Sequence, residues 1–250
     1  FNPIYDWEIF FLNLKVPYEV IDDNGLDDYE FKDTDVLILP SVEVLGDDAK
    51  ENLKEFLNLG GGVLILGKLG ELDELGKRME SDFLFEISGI KTELLPDQTN
   101  SSHELSINKS NILGNSFSSD DLLILNQFPI YYNEAQLESS SVLANFNETK
   151  NESATNSVYP CITSVEKGNG RITWFGFQLS QISSVANETM SLTELVFNSI
   201  NWLAKKPEVW VNRFPDKYNS LSIFTFIVDD TKIFNKQILP ILNASQITSV

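Results

Sequence analysis

Two stretches of the sequence decide the fold: Asp35-Val36-Leu37-Ile38-Leu39-Pro40 and Gly60-Gly61-Gly62-Val63-Leu64-Ile65-Leu66-Gly67. Each contains an apolar run without polar alternation, which is typical of strands covered on both faces of a parallel sheet. Between them, residues 47–59 carry apolar side chains at helical spacing, and the three glycines end that helix. A strand, a helix and a strand in this order predict a right-handed crossover in an α/β domain.

Further elements are predicted on both sides of this unit. Upstream, residues 5–14 have the apolar spacing of a helix, and Tyr18-Glu19-Val20-Ile21 predicts a short strand before an acidic turn. Downstream, two strands at 161–165 and 171–177 are joined by Lys167-Gly168-Asn169-Gly170, which predicts a hairpin. A helix over 192–204 follows. The fold class is therefore α/β, with a flavodoxin-like, mostly parallel sheet that contains Val36–Leu39, Val63–Leu66 and Arg171–Phe177.

The middle of the chain, residues 82–158, has a different pattern. Short alternating runs at 91–95, 105–107, 122–125 and 142–146 are separated by turns rich in Ser and Asn. This pattern predicts an antiparallel insertion or an extra sheet. Residues 145–157 contain few apolar side chains and predict a loop.

Composition restricts the partners. The 250 residues carry a formal net charge of -19, and residues 1–100 hold 23 acidic and 8 basic side chains. An acidic surface repels phosphate backbones, so a nucleic-acid partner is not expected. Such a surface favours solubility, and a saline environment is the alternative. No apolar run reaches the 18 or so residues that a membrane span needs, so none is expected.

Two further features concern the compartment. The single cysteine, Cys161, excludes an intrachain disulfide, and the chain begins at Phe1 without Met, as an excised piece of a longer protein would. Six Asn-x-Ser/Thr sequons favour an extracellular or cell-surface location. They lie at Asn100, Asn108, Asn147, Asn151, Asn187 and Asn243.

A family resemblance rests on the stretch from Asp35 to Gly70. A strand ending in Leu39-Pro40-Ser41, an acidic helix and Gly-Gly-Gly-Val-Leu-Ile-Leu-Gly resemble the class I glutamine amidotransferase-like superfamily. The likeness is closer to noncatalytic relatives such as the beta-galactosidase trimerisation domain. Residues 168–172 and 174–177 resemble the closing hairpin of those domains, so the resemblance covers about residues 1–205. We expect the strand that usually precedes the first helix to be missing.

The catalytic residues of that superfamily are not found where the resemblance would put them. Catalytic members carry a cysteine just after the Gly-rich strand, and a His with a Glu activates it. Here that strand runs into Gly67-Lys68-Leu69-Gly70. Cys161 lies on another predicted strand, where a small buried hydrophobic residue is expected. His103, the one histidine, lies in the atypical middle, so we expect no glutaminase chemistry.

The last forty residues resemble a second family. Ser220-Leu221-Ser222-Ile223-Phe224-Thr225-Phe226-Ile227-Val228-Asp229-Asp230-Thr231 is similar to the first motif of polysaccharide deacetylases of the NodB type. In that family two adjacent aspartates end a strand at the mouth of a β/α barrel. The helix expected over 233–242 and the following residues to Val250 fit the next helix and strand. The resemblance implies a truncated first β-α unit over 208–250, after an inactive amidotransferase-like domain over 1–207.

The resemblance also assigns roles to the two aspartates. Asp229 would be the catalytic base that activates water, and Asp230 would ligate a divalent metal, commonly zinc, which polarises the acetamide carbonyl. The two histidines that complete such a site would lie downstream of this chain. Thr231 replaces the family's usual glycine. An Asp-Asp pair that caps a turn is the structural alternative. We therefore expect no cofactor in this chain alone, with zinc in its parent.

Two functions remain open at this stage. The first is a noncatalytic accessory domain of an extracytoplasmic polysaccharide deacetylase-like hydrolase. The second is a carbohydrate-binding or subunit-assembly module without an enzymatic role, for which carbohydrate and a sister subunit are the expected partners. An intracellular amidotransferase ranks well below both because the Cys and His are misplaced. A His-x-x-x-His pair after Val250 would favour the first function.

Overall fold

The computed structural model describes residues 3–14, 16–27, 29–31, 36–94, 103–108, 111, 113–114, 123–125, 131–134, 141–148, 157–179 and 186–205. The chain divides into two compact units, Phe1–Asn212 and Arg213–Val250. The second unit lies wholly outside the described residues. The domain boundary at 207/208, the strand at 221–228 and the helix at 233–242 therefore stay predictions.

The described elements begin with two helices, alternate between strands and helices up to Ser88, are all strands from Thr92 to Phe175, and end with one helix. The helices are α1 (Pro3–Leu14), α2 (Asp23–Asp27), α3 (Asp47–Asn58), α4 (Phe83–Ser88) and α5 (Ala186–Leu203). The strands are β1 (Val36–Pro40), β2 (Gly62–Leu66), β3 (Thr92–Leu94), β4 (His103–Ile107), β5 (Leu123–Leu125), β6 (Tyr131–Asn133), β7 (Val142–Glu148), β8 (Ser157–Lys167) and β9 (Gly170–Phe175). Among these described helices, none combines the length and the apolar composition needed to cross a bilayer.

The main sheet has the strand order β1-β2-β9-β8-β7-β4-β5. Strands β1, β2 and β9 are parallel, with Leu37 beside Val63 and Val63 beside Ile172. The three segments predicted to share one sheet are therefore adjacent in it, and the α/β, flavodoxin-like class is confirmed. Strand β2 is buried along its whole length, as its unalternating apolar sequence predicts.

The middle of the chain extends this sheet. Strands β8, β7, β4 and β5 continue it with antiparallel pairings, while β3 and β6 form a separate two-stranded sheet. The insertion is thus mainly a continuation of the main sheet. The hairpin between β8 and β9 is confirmed, with Lys167 paired to Gly170. Gly168 has a φ of 60°, and a glycine at the first central position is typical of a type II′ turn.

Two apolar cores cover the two faces of the sheet. One contains Trp7 and Phe11 of α1 together with Leu195 and Leu203 of α5. The other contains apolar residues of α3 and α4, such as Leu53, Phe56, Phe83 and Ile87. Within β2, Leu64 and Leu66 belong to the first core, and Val63 and Ile65 belong to the second. Because successive side chains of a strand point to opposite faces, the central strands are buried on both sides.

The predicted strand Tyr18–Ile21 is wrong. These residues form no regular element, and Tyr18 and Val20 are exposed. Within the described residues β1 is the outer strand of the sheet, and this segment does not pair with its free edge. The acidic turn that follows contains helix α2, in which the Asp22 carboxylate accepts a hydrogen bond from the Gly25 amide and Leu26 is buried. The capping carboxylate favours a short helix at this point.

Candidate functional site at the carboxyl edge of the parallel strands

The neighbouring parallel strands β2 and β9 are followed by helices on opposite faces of the sheet. After β2 the chain continues to α4, which packs on the same sheet face as α3. After β9 it continues to α5, which packs on the opposite face. Neighbouring parallel strands that continue to opposite faces form a topological switch point, where open α/β sheets bind ligands. The edge formed by the carboxyl ends of β1, β2 and β9 is therefore the candidate site.

Ser41 and Gln178 close this edge across β2. The Gln178 side-chain amide donates to the Ser41 hydroxyl at 2.5 Å and to the Leu66 carbonyl at 3.4 Å. Ser41 is exposed and has a φ of 55°, a left-handed conformation that is uncommon outside glycine. Gly67 also has a positive φ, 68°, and a Cβ there would lie 3.1 Å from the Ser41 hydroxyl. A glycine after β2 thus permits Ser41 and Gln178 to approach.

The charged pair of the edge is formed by Lys68 and Glu71, and the ring of Tyr131 lies beside it. The Lys68 ammonium lies 2.6 Å from a Glu71 carboxylate oxygen and 5.6 Å from the centre of the Tyr131 ring. Burial alone would lower the pKa of Lys68, but the hydrogen bond and the charge of Glu71 outweigh it, and the pKa is raised. Burial raises the pKa of the Tyr131 phenol. The site therefore holds a charged ammonium beside a neutral phenol at neutral pH.

Tyr131 and the chain after β2 are held by contacts to β9. The Tyr131 amide donates to the Gly176 carbonyl at 2.8 Å. A Cβ on Gly176 would lie 2.0 Å from the Tyr131 carbonyl oxygen, so only glycine allows this approach. The indole of buried Trp174 donates to the Gly67 carbonyl at 2.7 Å. These contacts fix the backbone of the site.

The residues directly after β2, where the family resemblance would put a catalytic cysteine, are a glycine and a lysine. Gly67 and Lys68 follow β2, and the Lys68 ammonium is paired with Glu71. Cys161 lies on β8, is fully buried, and donates its thiol proton towards the Ala144 carbonyl at 3.4 Å. Burial raises the pKa of this thiol well above its ordinary value, which opposes formation of the thiolate. The prediction that Cys161 is a small buried hydrophobic residue is confirmed.

The other residues considered from the sequence lie elsewhere. His103 begins β4, which is separated from β9 by β8 and β7, and its side chain is outside the described part of the structure. Asp229 and Asp230 fall in the second unit, also outside the described residues, so their roles stay predictions. Over the residues that the structure does describe, no group of three or more His, Cys, Asp or Glu side chains could hold a metal.

Comparison with known proteins supports the fold. No protein-family model matches the sequence, and no curated protein matches it. The beta-galactosidase from Bacillus circulans sp. alkalophilus is similar with a TM-score of 0.54 and 13% identity, over 79% of this chain and 27% of that one. The beta-galactosidase from Rahnella sp. R3 is similar with a TM-score of 0.51 and 18% identity, over 72% and 24%.

A third solved structure matches over most of its own length. It is a putative ThuA-like protein from Bacteroides uniformis, with a TM-score of 0.54 and 11% identity over 80% of this chain and 84% of that one. By contrast, this chain spans about a quarter of the length of the beta-galactosidases. At these identities the likenesses show the fold alone. They agree with the amidotransferase-like and beta-galactosidase resemblance seen in the sequence, whereas the deacetylase resemblance of residues 208–250 stays a prediction.

Only part of this edge can be predicted from the sequence. Ser41 and Lys68 lie directly beside the two deciding strands, whereas no sequence motif marks Glu71, Tyr131 or Gln178. The rule that ligands bind at the carboxyl ends of parallel strands could have identified Lys68 and Gln178, because both follow predicted strands. Tyr131 comes from β6, a three-residue strand without a usable periodicity.

Proposed function

We propose that residues 1–205 form a noncatalytic accessory domain of a carbohydrate-active protein. Two findings support this proposal: the fold is similar to about a quarter of two beta-galactosidases, and the edge where amidotransferase-like enzymes place their nucleophile carries Gly67 and Lys68. The second is the observation on which the proposal chiefly rests. A protonated lysine paired with Glu71 cannot act as the nucleophile of acyl transfer, because its lone pair is occupied by a proton.

Hydrolysis assays on the purified 250-residue chain test this proposal. We expect glutamine and p-nitrophenyl acetate to be hydrolysed at the rate of buffer alone, and Cys161→Ala to leave that rate unchanged. Cys161 is the only thiol in the chain, so any thiol-dependent catalysis must disappear in this variant. The proposal would be overturned if the native chain hydrolysed either substrate and Cys161→Ala did not.

The finer form of the proposal concerns the parent. By their resemblance to the first deacetylase motif, residues 208–250 begin a polysaccharide deacetylase-like domain that acts outside the cytoplasm. Asp229 would be its general base, and Asp230 would be a ligand of a divalent metal, commonly zinc, which would polarise the acetamide carbonyl. One carboxylate cannot hold a catalytic zinc, so further ligands such as histidines would have to complete the site.

Zinc calorimetry separates this assignment from its alternatives. In a longer chain that continues past Val250, we expect Asp230→Ala to abolish zinc binding, and Asp229→Ala to retain the metal while losing deacetylation. The 250-residue chain should bind zinc no better than a surface pair of carboxylates. Tight zinc binding by this chain would show that the ligands are assigned wrongly, and an absence of metal in the longer protein would remove the deacetylase assignment.

A subunit-assembly module is the second candidate, and helix α1 favours it. Tyr5, Ile9 and Leu12 are spaced by four and three residues and are 64%, 51% and 67% exposed. The stripe is self-complementary for a second copy, since two antiparallel helices that meet at Ile9 place Tyr5 of each against Leu12 of the other. Sedimentation of the chain and of Ile9→Glu tests this candidate. If the native chain and Ile9→Glu both sediment as monomers, this candidate is excluded. If the native chain sediments as an oligomer and Ile9→Glu as a monomer, the candidate is supported.

A further inference from the structure

The edge at the carboxyl ends of β1, β2 and β9 combines several polar side chains with one aromatic ring. Ser41, Lys68 and Gln178 lie just after the carboxyl ends of β1, β2 and β9, and Glu71 lies further along the loop after β2. Tyr131, the first residue of β6, packs against the second apolar core and borders the same edge. Ser41 keeps a left-handed φ of 55° that glycine would adopt without cost. Backbone strain at a strand end is a reason to look for a ligand there. The second reason is topological, because this edge is the switch point of the parallel strands.

The chemistry of the edge is mixed. Lys68 supplies an ammonium donor, Glu71 a carboxylate acceptor and Ser41 an exposed hydroxyl that both donates and accepts. Tyr131 adds an aromatic ring with a neutral phenol. A ligand that satisfies this set needs hydroxyl groups that donate and accept, together with an apolar face for the ring. Sugars have both features.

The charge of the edge selects against anions. The Lys68 ammonium is paired with Glu71, and the Glu43 carboxylate acts on Lys68 and Tyr131 as well. The three ionised groups therefore sum to a net negative charge, on a chain whose formal charge is -19. A phosphate or a carboxylate ligand would be repelled. A neutral ligand is compatible with both the local and the overall charge.

We propose that the edge formed by Ser41, Lys68, Glu71, Tyr131 and Gln178 binds a neutral saccharide. This inference rests on the proposed function as a domain of a carbohydrate-active protein and names the ligand class of that domain. The Lys68–Glu71 pair holds sugar hydroxyls between a donor and an acceptor, and the half-buried Tyr131 borders the ligand beside them. Gln178 and Gly67 fix the geometry, because they join the ends of β9, β2 and β1.

Titration of the isotopically labelled 250-residue chain with defined oligosaccharides tests the inference. The probes are three neutral ones, chitotetraose, cellotetraose and β-1,4-galactotetraose, and trigalacturonate as an anionic control. We expect at least one neutral probe to shift the amide signals of Gly67 and Gly176 to saturation, and trigalacturonate to shift neither. Lys68→Met and Glu71→Gln should each weaken binding at least tenfold, and Tyr131→Phe should weaken it less because the ring remains.

Lys77→Met is the matched control, because Lys77 is an exposed lysine on the same loop as Lys68. It should bind the same probe with unchanged affinity, and thermal unfolding of each variant verifies that it is folded. The inference is overturned if no neutral probe shifts these signals, if both charge variants bind normally, or if trigalacturonate binds equally well. Those results would leave the hydrolysis assays of the proposed function untouched, so the two failures are distinguishable.

Discussion

The side-chain amide of Gln178 donates to the hydroxyl of Ser41 at 2.5 Å, although the two residues are 137 positions apart in the chain. The contact joins the ends of β9 and β1 over β2, since Gln178 also reaches the Leu66 carbonyl. It fixes the strained Ser41 at the edge of the parallel strands. The candidate site is therefore built from segments that only the finished sheet brings together.

Strain at Ser41 should be measurable as a difference between two substitutions. Ser41→Ala and Ser41→Gly both remove the hydroxyl, but only glycine adopts the φ of 55° without steric cost. Glycine also raises the entropy of the unfolded chain, which offsets part of the gain. We expect Ser41→Gly to be about 0.5–1 kcal/mol more stable than Ser41→Ala in urea unfolding.

Ser106 provides the control for this pair, because it is an exposed serine within strand β4. In a strand, glycine is less stable than alanine by about 0.5–1 kcal/mol. The order of the Gly and Ala variants should therefore reverse at Ser106. The same order at both positions would show that Ser41 is not strained.

The Lys68–Glu71 pair predicts a stability change at alkaline pH. Because the folded pKa of Lys68 is raised, its contribution is fully present below the unfolded value of about 10.4 and is lost as the pH rises through the folded value. We expect Lys68→Met to reduce the pH dependence of the free energy of unfolding above the unfolded pKa of lysine, about 10.4. Lys77→Met should retain the pH dependence of the native chain, and a loss of similar size there would contradict the assignment to Lys68.

Cys161 should be unreactive while the chain is folded. The thiol is fully buried, and burial raises its pKa well above the ordinary value. A thiol reagent should therefore label Cys161 only when urea or heat unfolds the domain. Cys161→Ala should cost about 1 kcal/mol of stability through lost packing. Fast labelling of the native chain would show that this thiol is accessible.

The caps of helix α4 should account for a large part of its stability. The Asp82 carboxylate accepts from the Phe85 amide at 3.0 Å, and Gly89 ends the helix with a φ of 74°. We expect Asp82→Ala and Gly89→Ala each to lower the free energy of unfolding by about 1 kcal/mol. A Cβ on Gly89 would meet no atom within 4 Å, so its cost is conformational. Glu80→Ala, at an exposed position just before the cap, should cost less than half as much; an equal loss would argue against capping.

Helix α4 also shows how much of the fold could be predicted from the sequence. Strands β1 and β2 and helix α3 were predictable, because long apolar runs and a clear helical period identify buried elements. Helix α4 lies in the stretch 82–158, which the sequence pattern predicts to be antiparallel, so the prediction is wrong there. The helix has six residues, too few for a period, and its signals in the sequence are the caps Asp82 and Gly89. The failed strand at Tyr18–Ile21 had the composition of a strand but no partner, and a pairing partner cannot be deduced from a local window.

The candidate site was less predictable than the fold. The absence of a nucleophile after β2 was visible in Gly67-Lys68-Leu69-Gly70. The pairing of Lys68 with Glu71 is local, because the two residues are three positions apart in one loop, but the approach of Tyr131 and Gln178 depends on how separate segments pack. Sequence spacing cannot supply such contacts, because Tyr131 and Gln178 reach the site from β6 and from the residues after β9.

The central proposal is that residues 1–205 form an accessory domain without catalytic residues of its own. Deacetylation of N-acetylated chitotetraose by a longer chain that continues past Val250 tests this most directly, with Asp230→Ala and Cys161→Ala compared with the native protein. The account predicts that Asp230→Ala loses the activity and that folded Cys161→Ala keeps it. Loss of activity in folded Cys161→Ala, with activity retained in Asp230→Ala, would contradict it.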